Sequence, residues 1–516
     1  MTSPWETLVT AALLGTERQA FTPPAETGLL GELLSRLDAA NPEAALLGAA
    51  AAVSLHQQVG QLPAIARKPL PTACDLDDLP RCSPQAGHHL SLMLSGEYAK
   101  VLPEWLAAVA AAGQRVPEFN LPALLDLGQR KTDLQAAIAP VLGKRGQWLA
   151  AQNPDWNFVT ATEEDTSWET GNRAARKALL NRWRSQEPER ARHALAATWK
   201  QETAAEKTAF LETFSTQLSL ADEPFLESAL SDRSKDVRRV AADLLSRLPD
   251  SRLCQRMTER VHRYIKFGPN QTLEVTLPEA LDPDLLQDGI EPKVPYNYSM
   301  GEKAWWLLQI VAATPLSVWT STQCTLEALV QAAVQSEWTP VFWQGWKQAT
   351  IRQRSPAWVP ALLEFHLATT QDVTYLQDED LQQLMALLPE AEQEALALNH
   401  LQLKGIENSA ALRMLYQVRS AWSIQLGRAV LDALYQYITV LEAHPLWHLL
   451  EALKEFALWI PPSLLTEAIP LAAAIENRSN WAASTDQGCW SREIEKFLAL
   501  LQFRQDMLQA LTQQSK

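Results

Sequence analysis

The chain has 516 residues, 47% of them hydrophobic, with a formal net charge of −15 and a pI near 5.2. That length suits two to four globular domains or one long solenoid, and the acidic total argues against a general nucleic-acid coat or a strongly anionic membrane partner. Ala and Leu dominate, only 8 Tyr and 12 Phe occur, and alternating β-branched runs are scarce, so the chain reads as all-α.

The N-terminus, Met-Thr-Ser-Pro-Trp-Glu, lacks the basic and then apolar run of a secretory signal. The longest apolar stretch, Ala44–Leu55, falls short of the roughly 18–20 residues that span a bilayer. Cys74, Cys82, Cys254, Cys324 and Cys489 are odd in number and scattered, unlike a disulfide framework. A cytoplasmic protein without membrane contact is expected.

From the N-terminus to about residue 162, helix-length segments fall at Gly28–Ala40, Pro42–Val59, Gln85–Ser95, Tyr98–Ala112, Leu121–Lys131 and Asp133–Leu142. Between Leu62 and Pro84, five prolines forbid a continuous helix. Residues 163–267 form a second region, with helices at Asn172–Trp183, Pro188–Gln201, Ala204–Leu218, Glu223–Leu230, Lys235–Leu248 and Ser251–Ile265. Their short connections make sequential helices antiparallel neighbours. The pair at 223–249 has the pattern of a HEAT-like repeat, whose second helix puts Val237, Val240, Ala241, Leu244, Leu245 and Leu248 on one stripe. One such pair cannot bury its apolar faces alone, so a stack of pairs, an α-solenoid, is expected.

Residues 268–300 break this pattern with Gly268, Pro269, Pro278, Pro283, Gly289, Pro292 and Pro295. Alternation at Leu273, Val275 and Leu277 fits a short strand in this linker or insertion. From 301 to 516 helical patterning resumes at Gly301–Ala313, Cys324–Gln335, Pro356–Ala368, Asp378–Leu388, Ala391–Leu403, Ser409–Ser420, Gln425–Val440, Leu446–Leu458, Pro462–Ile475 and Trp490–Leu511. Of 19 tryptophans, 12 lie at or beyond Trp305. Core packing accounts for them better than a ligand groove, given the apolar area each buries.

The most idiosyncratic segment is Gly143-Lys144-Arg145-Gly146-Gln147-Trp148, running on to Asn153-Pro154-Asp155-Trp156. A Walker loop would need Gly at 138 and Ser or Thr at 145, where Ile138 and Arg145 stand. A Gly-Lys-Arg-Gly turn would present Lys144 and Arg145 to an anion or an acidic partner peptide, with Trp148 and Trp156 as apolar anchors beside Asp155. The plainer alternative is that Gly143 ends a helix, residues 153–155 turn the chain, and the Trp rings fasten it to the core. The helix pair at 223–249 is expected to hold this segment in place.

Together, Trp5-Glu6, Ala11-Ala12-Leu13-Leu14-Gly15-Thr16-Glu17-Arg18, the 143–156 motif and the HEAT-like unit resemble a bacterial family catalogued as a domain of unknown function. The resemblance covers most of the chain and carries no catalytic residues. It implies a context, since such proteins are typically encoded near MoxR-type AAA ATPases, von Willebrand factor A-domain proteins and SWIM zinc-finger proteins. An adaptor that binds such partners is the expectation from resemblance.

Catalytic and metal patterns find little support. His444 and His448 share an i, i+4 spacing, but Pro445 stands where a zinc protease needs Glu. Cys74, Cys82, His88 and His89 fit no common structural zinc spacing. There is no Gly-x-Ser-x-Gly elbow. The expected function is a non-enzymatic scaffold with no cofactor or metal.

One charge asymmetry stands out. From Arg173 to Lys266 there are 19 Lys and Arg against 13 Asp and Glu, a net of +6 that leaves −21 for the remainder. Arg173, Arg176 and Lys177 lead its first cluster, and Arg233 to Arg263 supply a second. On one face of a stack these cations would suit an acidic segment or a phosphate backbone, which makes a nucleic-acid-binding or nucleic-acid-processing protein the alternative. Arg238 is read apart from them, as a structural rung paired with Asp232 or Asp236.

Overall fold

The structure, a computed structural model, describes residues 3–16, 18, 21–60, 71–160, 168–169, 171–268, 272–296, 298–320, 325–369, 378–440, 446–476 and 485–512. The chain falls into two compact units, residues 1–73 and 74–516. In the first, α1 (Pro4–Leu14), α2 (Gly28–Ser35) and α3 (Pro42–Gly60) meet around Leu8, Leu30, Leu34, Ala49 and Val53. Helix α1 precedes the first expected segment. Its start is set locally: the Ser3 hydroxyl accepts from the Glu6 N–H and the Glu6 carboxylate from the Ser3 N–H, a capping box with Pro4 at the first helical position.

The second unit opens with α4 (Pro84–Ser95), α5 (Leu102–Ala111), α6 (Leu121–Arg130), α7 (Gln135–Ile138), α8 (Gly143–Gln152) and α9 (Asn157–Thr160). There follow α10 (Arg173–Gln186), α11 (Pro188–Thr198), α12 (Ala204–Leu211), α13 (Glu223–Ala229), α14 (Lys235–Ser246) and α15 (Arg252–Tyr264). The insertion carries strands β1 (Ile265–Phe267) and β2 (Leu273–Val275), paired antiparallel with Lys266 opposite Glu274, and then α16 (Pro283–Gln287). Next come α17 (Glu302–Ala313), α18 (Leu316–Thr320), α19 (Leu326–Val334), α20 (Thr339–Gln353), α21 (Val359–Thr369) and α22 (Glu379–Met385). The chain ends with α23 (Glu390–Lys404), α24 (Ser409–Gln417), α25 (Ile424–Val440), α26 (Trp447–Trp459), α27 (Leu465–Ala468), α28 (Pro470–Glu476) and α29 (Thr485–Thr512).

From α10 onward helices pack chiefly on others one to three places along the sequence, as α13 on α14, α15 on α17, α17 on α20, α22 on α24 and α26 on α29. This is an all-α helical-repeat fold, with the short β pairing at the insertion. One hydrophobic core runs from Leu180 to Leu501, and Leu285 and Ile290 of the insertion belong to it. The expected stripe of α14 faces inward, with Val237, Ala241, Leu244 and Leu245 buried. Trp305, Trp306, Trp319, Trp343, Trp346, Trp358, Trp422 and Trp490 are buried in the same core. Trp481 lies outside the described residues.

A second core gathers Leu90, Trp105, Leu106, Leu124 and Val141 around Phe503, Met507 and Leu511 of α29. Arg504, almost fully buried, clamps the two parts: Nε and Nη2 donate to the Glu104 carboxylate at 2.7 and 2.9 Å, and Nη1 to the carbonyls of Ala457 and Ile460. The C-terminal helix thus closes back on the first helices of its unit. Among the described residues no single helix is long and apolar enough to cross a membrane.

Candidate functional site

The structure corrects the reading of Gly143–Gly146 as a turn, while the chain does turn after Asn153, where the Trp156 N–H donates to the Asn153 carbonyl. Residues 143–152 are helix α8, and Gly143 opens it rather than ending its predecessor. Gly143 sits at φ +65°, and a Cβ there would strike the Asp77 carboxylate and Arg115 Cδ. Asp77 is the reason the helix can start here, because its Oδ1 accepts from the backbone N–H groups of Lys144 and Arg145. Two cations in a first turn oppose the helix dipole. They are offset by Asp78, which pairs with Lys144 Nζ at 2.9 Å, and by Glu118, 3.7 Å from Arg145. Trp148 is half-buried, Trp156 donates Nε1–H to Asp126 at 2.8 Å, and Asp155 is exposed. What holds this segment is Asp77 and Asp78 of the loop before α4 and the core shared with α29. That core contains no buried residue from the 223–249 helix pair, contrary to expectation.

Most cations of the basic stretch are held by carboxylates, carbonyls or aromatic rings. The Arg176 guanidinium pairs with Glu202 and lies over the rings of Trp168 and Phe210 at 4.2 and 4.9 Å. Lys177 reaches Glu212 at 2.8 Å, while Arg173 is exposed. Arg184 and Asp222 form a fully buried pair, joined by Arg192 on the same carboxylate. Arg184 also donates to the carbonyls of Thr216 and Gln217. Arg256 and Arg260 both hold Asp288. Arg238 is a rung, but on carbonyls: its Nη1 donates to the main-chain oxygens of Asp232 and Arg233, and the Asp232 carboxylate is taken by Lys207.

Between α14, α17, α20 and the insertion lies an open groove. Two chambers, about 700 and 940 Å³, share Ser215, Asp243, Arg247, Gln348 and Arg352. At their junction one carboxylate serves two guanidiniums: Asp243 accepts from Arg247 Nη2 at 2.7 Å and from Arg352 Nε at 2.8 Å. Burial alone would raise the Asp243 pKa, but Arg352 and Arg247 hold it below the ordinary carboxylate value. Arg352 is anchored further by the Ala312 carbonyl, at 3.1 Å from Nη1. Arg239 stands on one wall, 3.8 Å from Glu291, and Arg354 on another. Gln217 and Arg354 face this groove at φ +49° and +48°, two of the three described non-glycine residues with positive φ. Such positions cost energy and cluster at functional sites.

Of these residues, Arg239 and Arg247 lie inside the basic stretch. Arg352 and Arg354 do not, and the only local signal was Arg-x-Arg ahead of Ser355-Pro356. Among the described residues no cluster of three or more His, Cys, Asp and Glu side chains is placed to hold a metal ion. His444 and Cys324 lie outside the described residues.

Fold and groove together define a helical-repeat protein with an open, arginine-lined groove. Residues 7–511 match the family of unknown function DUF5691, and the chain belongs to that family. No curated protein and no solved structure is similar enough to match.

Proposed function

We propose that the protein is a non-enzymatic scaffold of the cytoplasm that binds protein partners on its helix stack. The observation that carries this reading is the groove, whose walls come from separate helices of the stack and whose arginines are pre-positioned by Asp243 and Ala312. Stacked repeats build such surfaces by superposing helix pairs, and fixed guanidiniums lower the entropy lost on binding. The α8 segment is a second contact candidate, since Lys144 and Arg145 keep side-chain exposures of 41% and 51% despite their ion pairs. Resemblance suggests the partners: a MoxR-type AAA ATPase and a von Willebrand factor A-domain protein. The nucleic-acid reading draws less support, because most cations of 173–266 are tied to carboxylates, carbonyls or aromatic rings and the chain carries −15 overall.

The test is reconstitution. Partners captured from the native host by crosslinking are purified and mixed with the full chain in a sedimentation experiment. A defined complex with a purified partner is the expected outcome. Sedimentation of the chain as a free species with every captured partner, the ATPase included, would sink the scaffold reading.

A further inference from the structure

We propose that the groove between α14, α17 and α20 is a receptor for an extended acidic peptide segment of a protein partner, an inference that rests on the scaffold reading. The lining holds four arginines, Arg239, Arg247, Arg352 and Arg354, and four carboxylates, Glu212, Asp243, Asp288 and Glu291. These eight charges do not cancel in place. Glu212 is engaged by Lys177, and Asp288 by Arg256 and Arg260, cations that do not line the groove. Asp243 and Glu291 then remain against four guanidiniums, and Asp236, also outside the lining, pairs with Arg239 at 3.8 Å, which leaves a surplus of one positive charge.

The donors are arranged as well as charged. Asp243 takes Arg247 through Nε and Nη2, and Arg352 through Nε, while Ala312 takes Arg352 Nη1. Arg247 Nη1 and Arg352 Nη2 keep no protein partner among the described residues, and both forks are held still. A carboxylate arriving at either fork meets a charge-assisted donor that is already held in place, so little rotamer freedom is lost. Arg354, exposed and without an ion pair among the described residues, adds a third cation along the wall. Its φ of +48° is one that glycine would adopt with less strain, so the fold keeps an arginine where a glycine is easier.

A peptide fits better than a nucleic acid. The Gln383 amide and the Gln348 side-chain carbonyl, whose Nε2 donates to the Tyr298 hydroxyl, can pair with the N–H and C=O of an extended backbone, and Leu248 and Leu387 supply apolar wall. The one aromatic ring in the lining, Trp305, is 7% exposed, so no face is offered for base stacking.

Fluorescence anisotropy on the full chain tests this with a labelled peptide repeating Glu-Gly-Asp-Leu, its Gln-Gly-Asn-Leu analogue, and a single-stranded oligonucleotide. The acidic peptide should bind saturably and lose affinity with added salt. The amide analogue should bind roughly tenfold more weakly or worse, the equivalent of one lost charge-assisted contact. Arg354→Gly with Arg239→Gln should lower affinity by about tenfold by the same conversion, while the melting temperature stays at or above wild type, because R354G relieves the αL strain. Equal binding of the amide analogue, tighter binding of the oligonucleotide, or indifference to the double variant would overturn the proposal. If reconstituted partner complexes persist while the acidic peptide fails to bind, this inference falls and the scaffold reading stands; if both fail, the scaffold reading falls too.

Discussion

Gly345→Ala should destabilise the stack through a single contact. Helices α17 and α20 form the most extensive helix pair of the fold, and Gly345 is where they approach. A Cβ at 345 would lie 2.6 Å from Val311 Cγ1, 2.9 Å from Val311 Cβ and 3.4 Å from the Leu308 carbonyl. Val311 is fully buried and β-branched, with one favoured rotamer in a helix, so it cannot swing away. The helices must part instead, at an overpacking cost near the upper end of about 1–3 kcal/mol. Alanine's better helix propensity returns about 1 kcal/mol, leaving a net loss of about 1–2 kcal/mol. Urea unfolding followed by tryptophan fluorescence reads it, since Trp343 and Trp346 flank the site on α20. The mechanism has its own check. Val311→Ala alone should cost about 2 kcal/mol by removing two buried methyls, yet V311A with G345A should cost about 1 kcal/mol less than the sum, because the nearest clash, at Cγ1, is gone while the 2.9 Å approach to the residue-311 Cβ stays. A G345A protein as stable as wild type, or strict additivity in the pair, would refute the close-approach argument.

Three further outcomes follow from buried charge and burial. Asp222→Ala strands the fully buried Arg184 and should cost about 3–5 kcal/mol, much of it recovered in the D222A R184M double variant; thermal unfolding checks both. Glu118 is lowered to a pKa of about 2 by its own backbone N–H, against opposition from burial, and by Arg115 and Arg81. A depressed carboxylate contributes stability above its unfolded pKa, near 4.5, and loses it as pH falls towards 2. Wild type should therefore lose more stability than Glu118→Gln between those values, and equal slopes in acid titrations followed by circular dichroism would contradict this. Cys82 and Cys254 are buried with thiol pKa values pushed up to about 11, chiefly by burial, so alkylation mapped by mass spectrometry near pH 8 should modify the half-buried Cys74 and Cys489 first.

Helices were legible where one stripe of the chain is apolar. In α14 the residues Val237, Ala241, Leu244 and Leu245 alternate with charge, and that pattern alone locates the helix and its inward face. Helix α20 escaped because burial is nearly all round: Val341, Phe342, Trp343, Gly345, Trp346, Lys347, Ala349 and Thr350 are all inside, so no polar face betrays a period of 3.6. Helix α8 escaped for a different reason. Gly-Lys-Arg-Gly has poor helix propensity and no cap of its own, and the acceptor that starts it, Asp77, comes from a loop far back in the chain.

Charge was the least transferable signal, because a count cannot tell a paired cation from an unpaired one. Most cations of 173–266 are held in place by Glu202, Glu212, Asp222, the outlying Asp288 and main-chain carbonyls, whatever the net of +6. The groove's surplus arises by the opposite route: Lys177, Arg256 and Arg260 satisfy two lining carboxylates from outside, and α20 brings Arg352 and Arg354 from beyond the stretch. Arg352 meets Asp243 across 109 residues of sequence, a separation no local pattern spans. Net charge per segment therefore found the neighbourhood of the groove through Arg239 and Arg247, while the fold decides which guanidiniums still have a donor to offer.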